Sequence, residues 1–218
     1  AWRTSRPARI SYSSPTLARV AGRDQVLISG CDRVAGFDPA TGKALWEVPA
    51  TTMATSGTMV WHKDLVFASG GFPKAETVCI KADGSGTVVW KNTQKCYEQS
   101  MIVHGGYVYA MTDTGIVFCW RATDGMVMWR ERLRGPISSS PVIAGGNIYM
   151  VNEQGTTFVF KASPAKYMEV GRNTLGNEVF ATPSICGGRV YARVGHLSAG
   201  TRQEVLYCIG DKTTASRR

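Results

Sequence analysis

The chain has few of the residues on which most site chemistry depends. Histidine occurs three times in 218 residues, at His62, His104 and His196. No two of the six cysteines form a C-x-x-C pair, and no Cys/His spacing suits a zinc site. G-x-S-x-G, the P-loop and H-E-x-x-H are all missing, so the commonest markers of hydrolases and nucleotide binders are excluded. No apolar run approaches the ~20 residues of a membrane span. No secretory signal is visible either, although a start at Ala1 rather than Met leaves room for an upstream targeting segment. Helical periodicity is missing too. What is abundant is glycine, 24 residues, beside a hydrophobic fraction of 44% and a charged fraction of 19%. That composition describes a folded chain with many turns.

The positive content is repetition. The phrases His104–Tyr109, Ala144–Tyr149 and Cys186–Tyr191 each carry Gly-Gly at the same offset, and weaker copies end at Leu27 and Phe67. The closing positions 27, 67, 109, 149 and 191 are spaced 40, 42, 40 and 42. A small residue leads each copy, at Ser14, Ser56, Ser100, Ser140 and Thr182, and a tryptophan ends the phrase at Trp46, Trp90 and Trp129. A period near 40 built from short strands predicts a β-propeller.

Each unit reads as four strands. In the third copy these are residues 100–103, 107–111, 116–121 and 126–130, with Asp124-Gly125 as a tight-turn signal. The expected architecture is all-β: a single propeller over residues 1–218 with five repeats of four-stranded antiparallel blades. The approximate repeats are 11–50, 51–95, 96–135, 136–176 and 177–210. The fourth departs from pattern, with Ser163–Lys166 as its turn and Met168 near the expected tryptophan. Residues 1–10 hold an orphan tail, because Trp2 precedes Trp46 by the same 44 residues that separate Trp46 from Trp90. Asp211–Arg218 is too polar for a fourth strand. Either the ring has five blades and Trp2 closes it beside Val205–Ile209, or Trp2 belongs to a preceding blade of a longer propeller.

Gly36–Trp46, with Asp38, Thr41, Gly42 and Trp46, resembles the tryptophan-docking motif of quinoprotein-type propellers, the repeats named for pyrroloquinoline quinone. Ala82–Trp90 and Ala122–Trp129 are degenerate copies. The resemblance implies a bacterial, exported protein whose tryptophans pack between blades, in a ring of seven or eight. Two functions follow from it. One is a non-catalytic binding or scaffold module, the architecture of the scaffold lipoprotein of bacterial outer-membrane assembly. The other is a fragment of a quinone-dependent dehydrogenase with pyrroloquinoline quinone and calcium on the propeller axis.

The first is preferred. Quinoprotein dehydrogenases commonly carry adjacent cysteines, and none are adjacent here. Among the axis-facing positions Ser13-Ser14, Thr55-Ser56, Glu98–Ser100, Ser138–Ser140 and Ala181-Thr182, only Glu98 is ionisable. No catalytic, cofactor or metal residue is therefore assigned, and no cofactor is expected. Cys79, Cys119 and Cys208 share a slot that Gly36 and Val159 fill elsewhere, which predicts a small buried position. Cys31, Cys96 and Cys186 are left as possible disulfide partners. The histidines are expected at turns or strand ends. A net charge of +9 gathers at Arg3, Arg6 and Arg9, at Arg130, Arg132 and Arg134, and at Arg217-Arg218. It is read as a charged outer edge that discourages strand pairing. A nucleic-acid partner is not expected, and the protein or polymer partner is left open.

Overall fold

A computed structural model of the chain describes residues 1–211. It holds nineteen strands and, among the described residues, no helix. The first sheet comprises β1 (Thr16–Val20), β2 (Arg23–Gly30), β3 (Arg33–Phe37) and β4 (Ala44–Pro49). The second comprises β5 (Val60–His62), β6 (Leu65–Gly70), β7 (Glu76–Lys81) and β8 (Val88–Asn92). The third comprises β9 (Ile102–His104), β10 (Tyr107–Met111), β11 (Ile116–Arg121) and β12 (Val127–Arg132). The fourth comprises β13 (Val142–Ala144), β14 (Asn147–Val151), β15 (Thr156–Lys161) and β16 (Glu169–Thr174). Among the described residues the fifth has three strands, β17 (Ser184–Cys186), β18 (Arg189–Ser198) and β19 (Thr201–Gly210). Every sheet is an antiparallel meander in chain order.

Local chemistry explains the meander. Gly105-Gly106 and Gly145-Gly146 all have positive φ, between 55° and 83°, which a two-residue hairpin of right-handed twist requires. Middle strands of the first three sheets are largely buried on both faces, as in LVFASG of β6, while β4 alternates with Trp46 and Val48 inward. Strands so buried must lie between two neighbours, and the apolar clusters show this. One cluster joins Ala18, Val34 and Trp46 to Val66 and Ile80 of the next sheet. Others join the second sheet to the third and the third to the fourth. Only Val151, Val179 and Val194 form the buried cluster between the fourth and fifth.

In each four-stranded sheet the third and fourth strands slip register at one place: Gly36/Phe37, Cys79/Ile80, Cys119/Trp120 and Val159/Phe160. The residue before each slip is the small-residue slot, and opposite it stand Trp46, Trp90, Trp129 and, in the fourth sheet, Gly171. The docking position there is thus Gly171, three residues beyond Met168, because the turn around Ser163–Lys166 is longer. Cys79 and Cys119 are fully buried in the slot, but Cys208 is exposed, since no described element packs over that face of β19. All six cysteines are free, so Cys31, Cys96 and Cys186 form no disulfide.

The chain ends also differ from one of the two readings. Trp2 does not pair beside Val205–Ile209. Its ring lies over Gly42 on the turn of the first sheet, and its Nε1 donates to Pro39 O at 2.8 Å. Among the described residues, strand β19 pairs only with β18. Arg217-Arg218 lie outside the described residues. Arg130 and Arg132 are exposed on β12, and Arg134 is exposed in the linker beyond it.

Candidate functional site

Strand direction fixes which loops share an end of the stack. First strands start, second strands finish, third strands start and fourth strands finish at one end. The linkers between sheets and the turns between second and third strands therefore lie together there. This linker end holds every axis-facing position expected from the sequence.

Those positions are occupied by fasteners. Thr58 N donates to Ser100 Oγ at 3.0 Å, Ser100 N to Ser140 Oγ at 2.9 Å, and Ser140 N to Thr182 Oγ1 at 2.9 Å. A hydroxyl of the third, fourth and fifth units thus accepts the backbone amide of the unit before it. The small-residue marker is this clasp, and in the second unit the residue that gives its amide is Thr58 rather than Ser56, two residues on. Gln99 is buried and donates to Ile137 O at 2.7 Å, a second link between the third sheet and the following linker. Ser13 Oγ donates to Ser29 O, and Thr55 is buried beside Ser29 and Ser11. Glu98 is exposed, and its backbone amide donates to Gln99 Oε1 at 3.0 Å.

Around the clasps several charges are paired. Arg9 meets Asp32 at 3.0 Å, Lys95 meets Asp113 at 3.2 Å, and Arg202 meets Glu178. Ser138 Oγ donates to Glu153 Oε1 at 2.6 Å, and Lys95 lies 5.2 Å from the Tyr97 ring centroid. Such exposed pairs contribute ~0–1 kcal/mol each. Their effect is to order a rim of mixed charge at the linker end.

Among the described residues no group of three or more His, Cys, Asp or Glu side chains could hold a metal ion. His62, His104 and His196 sit on the second, third and fifth sheets. The first two end their strands, whereas His196 lies within β18, its Nε2 2.9 Å from Tyr207 Oη. Burial pushes the thiols of Cys79 and Cys96 up to about 12 and that of Cys119 to about 11, so they stay protonated and unreactive at neutral pH. No helix of the described residues is long and apolar enough to cross a membrane.

The docking tryptophans complete the geometry. Trp90 donates to Ala122 O at 2.9 Å and Trp129 to Ser163 O at 2.8 Å, each carbonyl belonging to the next sheet's turn. Trp46 reaches its neighbour through a relay. It donates to Gln25 Oε1 at 2.7 Å, and Gln25 Nε2 donates to Ala82 O at 2.8 Å. Trp46 and Trp129 are buried, while Trp90 is half-buried.

This motif, repeated in register, is matched by the family model described as outer membrane protein assembly factor BamB, over residues 1–131 and 74–166. The chain belongs to that family. Two solved structures share the family fold. One is BamB from Moraxella catarrhalis, with TM-score 0.64 and 17% identity over 93% of this chain and 61% of that one. The other is the computationally designed Ika8 protein, with TM-score 0.64 and 13% identity over 83% of this chain and 54% of that one. The chain thus spans less than two thirds of either structure. At these identities they establish the fold, a β-propeller of quinoprotein-like repeats, and nothing finer. No curated protein sequence matches.

Sequence reasoning missed three residues at or beside the docking positions. Gln25 and Asn147 fill one register position, two residues before Leu27 and Tyr149. A polar residue at the head of a second strand reads as surface, and only alignment on the tryptophan slot exposes it. Gly171 was hidden by the longer turn before it.

Proposed function

We propose that the chain is the binding part of an exported, non-catalytic scaffold that serves outer-membrane protein assembly by holding a protein partner at its linker end. The observation that carries this reading is the use of the axial positions. Ser100, Ser140 and Thr182 spend their hydroxyls on amides of the preceding unit. An axis spent on fastening sheets together makes a rigid platform for contact, without a poised base or nucleophile. The family's description points to outer-membrane assembly, and the net charge of +9 favours a partner surface of acidic character.

Two measurements test it. Binding to the purified outer-membrane assembly complex should weaken at least tenfold on Lys95→Glu with Arg134→Glu, both at the linker end. Lys166→Glu, on a turn at the opposite end, should leave it unchanged. Equal effects from both ends, or none, would refute the placement. Mixed with pyrroloquinoline quinone and calcium, the chain should reduce no dye with alcohol or sugar as donor, and turnover in that assay would sink the non-catalytic reading.

A further inference from the structure

The fourth inter-sheet interface lacks what fills the third. At the third, the Trp129 indole stands 6.0 Å from Tyr109 and 6.3 Å from Phe160, between ring centroids, with Cys119, Ile148 and Met150 in the same buried cluster. Strand register maps each of these positions onto the fourth interface. Tyr109 becomes Tyr149 and Cys119 becomes Val159. Ile148 becomes Val190, Met150 becomes Ala192 and Phe160 becomes Ile209. Trp129 becomes Gly171. Four of these changes remove volume, and Tyr149, Val159, Val190, Ala192 and Ile209 are among the residues that line a cavity of about 350 Å³ between the fourth and fifth sheets. A Cβ placed on Gly171 would find only Val159 Cβ, at 3.8 Å. The space beside the backbone is therefore open.

A second observation names the chemistry. Asn147 holds the register position of Gln25, whose Oε1 accepts the indole N–H of Trp46. The Oδ1 of Asn147 is buried and has no partner. A buried acceptor left unmade is costly, and its natural donor here would be a ring N–H in the vacant slot. The fourth interface thus keeps the acceptor of a docking indole and has lost the indole.

We propose that this cavity is a binding site for a small planar heteroaromatic ligand of indole size, seated between the fourth and fifth sheets with its ring N–H toward Asn147. Apolar walls of Tyr149, Val159, Val190, Ala192 and Ile209 take the ring faces. The polar side chains of Thr157 and Asn173 are also part of the lining. The cavity extends to the linker end, where Ala181 and Pro183, on either side of the clasp residue Thr182, form part of its lining.

Indole and benzothiophene, the same shape without the N–H, are the probes. Indole should bind with a Kd on the order of 0.1 mM, a modest efficiency for nine heavy atoms. It should shift the methyl resonances of Val159 and Val190 and raise the Tm. Benzothiophene should bind about tenfold more weakly. Asn147→Leu should remove that preference while the thermal stability of the unliganded protein stays equal or rises. Ala192→Met, which restores the residue of the third interface, should cut indole binding at least tenfold, and Gly171→Trp should abolish it and raise the Tm without ligand. No methyl shift at 2 mM (about 20 times the expected Kd), equal affinity for the two probes, or undiminished binding to Ala192→Met would each overturn the proposal.

Discussion

Replacing Gln25 by leucine should cost more than any surface change of the same kind. Gln25 is fully buried and makes three hydrogen bonds: from Trp46 Nε1 at 2.7 Å, to Ala82 O at 2.8 Å and to Val20 O at 3.2 Å. Gln25→Leu leaves the buried indole N–H and the Ala82 carbonyl without partners, at ~1–3 kcal/mol for each. The new apolar side chain returns about 1–2 kcal/mol. The net loss is therefore about 2–4 kcal/mol, which lowers the Tm of a chain this size by roughly 5–15 °C. Tryptophan fluorescence during urea and thermal unfolding reads it, since Trp46 reports directly. Gln203→Leu, on the exposed strand β19, is the control and should change stability by less than about 0.5 kcal/mol. A Tm drop of under about 2 °C for Gln25→Leu would refute the relay, because it would mean that water or a shifted chain satisfies both groups.

Ser140→Ala should remove the acceptor for Ser100 N and cost about 1 kcal/mol, whereas Ser140→Thr should be neutral because Thr182 already performs the same task one unit on. Differential scanning calorimetry distinguishes the two, and equal losses would deny the hydroxyl its role. Native protein at pH 8 should present two fast thiols to maleimide, Cys186 and Cys208, and six in urea. The buried thiols of Cys79, Cys96 and Cys119 add a pH dependence. Their folded pKa lies above the unfolded one, so their contribution is complete below about 8.5 and is lost as pH rises toward 11. The urea midpoint should fall across that window, with a shallower fall in Cys79→Ala, and a flat profile would count against their burial.

Much of this fold was legible because its repeats are punctuated by residues with few substitutes. Gly-Gly marks a hairpin with two positive φ angles, and tryptophan marks a place where one ring closes a gap between sheets. Spacing located both to the residue. It located the clasp less well, since a run of small polar residues such as Thr55-Ser56-Gly57-Thr58 offers several matches, and only the amide bonded to Ser100 Oγ selects Thr58. Period alone also could not say that the hydroxyls face the neighbouring backbone, because that depends on how the linkers bring successive first strands together. The missing docking residue was misplaced for a related reason. Positions 119 and 159 differ by 40, but positions 129 and 171 differ by 42, so an alignment carried through the Ser163–Lys166 turn lands short of Gly171.

Adhesion between successive sheets is built from three layers, and they need not vary together. Near the axis a hydroxyl takes an amide. In the middle apolar side chains interlock across the gap. Toward the outer strand an indole closes the seam and donates to the next turn. The third interface has all three, with Ser140 as its clasp, Met111, Ile148 and Met150 in its middle, and Trp129 at its edge. The fourth keeps the clasp through Thr182 and adds a pair of bonds between Asn177 and Leu197, yet its buried middle is three valines and its edge is Gly171. Polar clasps contribute about 1 kcal/mol apiece, while a docked aromatic contributes several. The fifth sheet is therefore held in register by bonds that specify position but supply little energy. A seam fixed at one end and open along its length keeps a cavity without collapsing on it, which is the condition for binding a flat ring between two sheets.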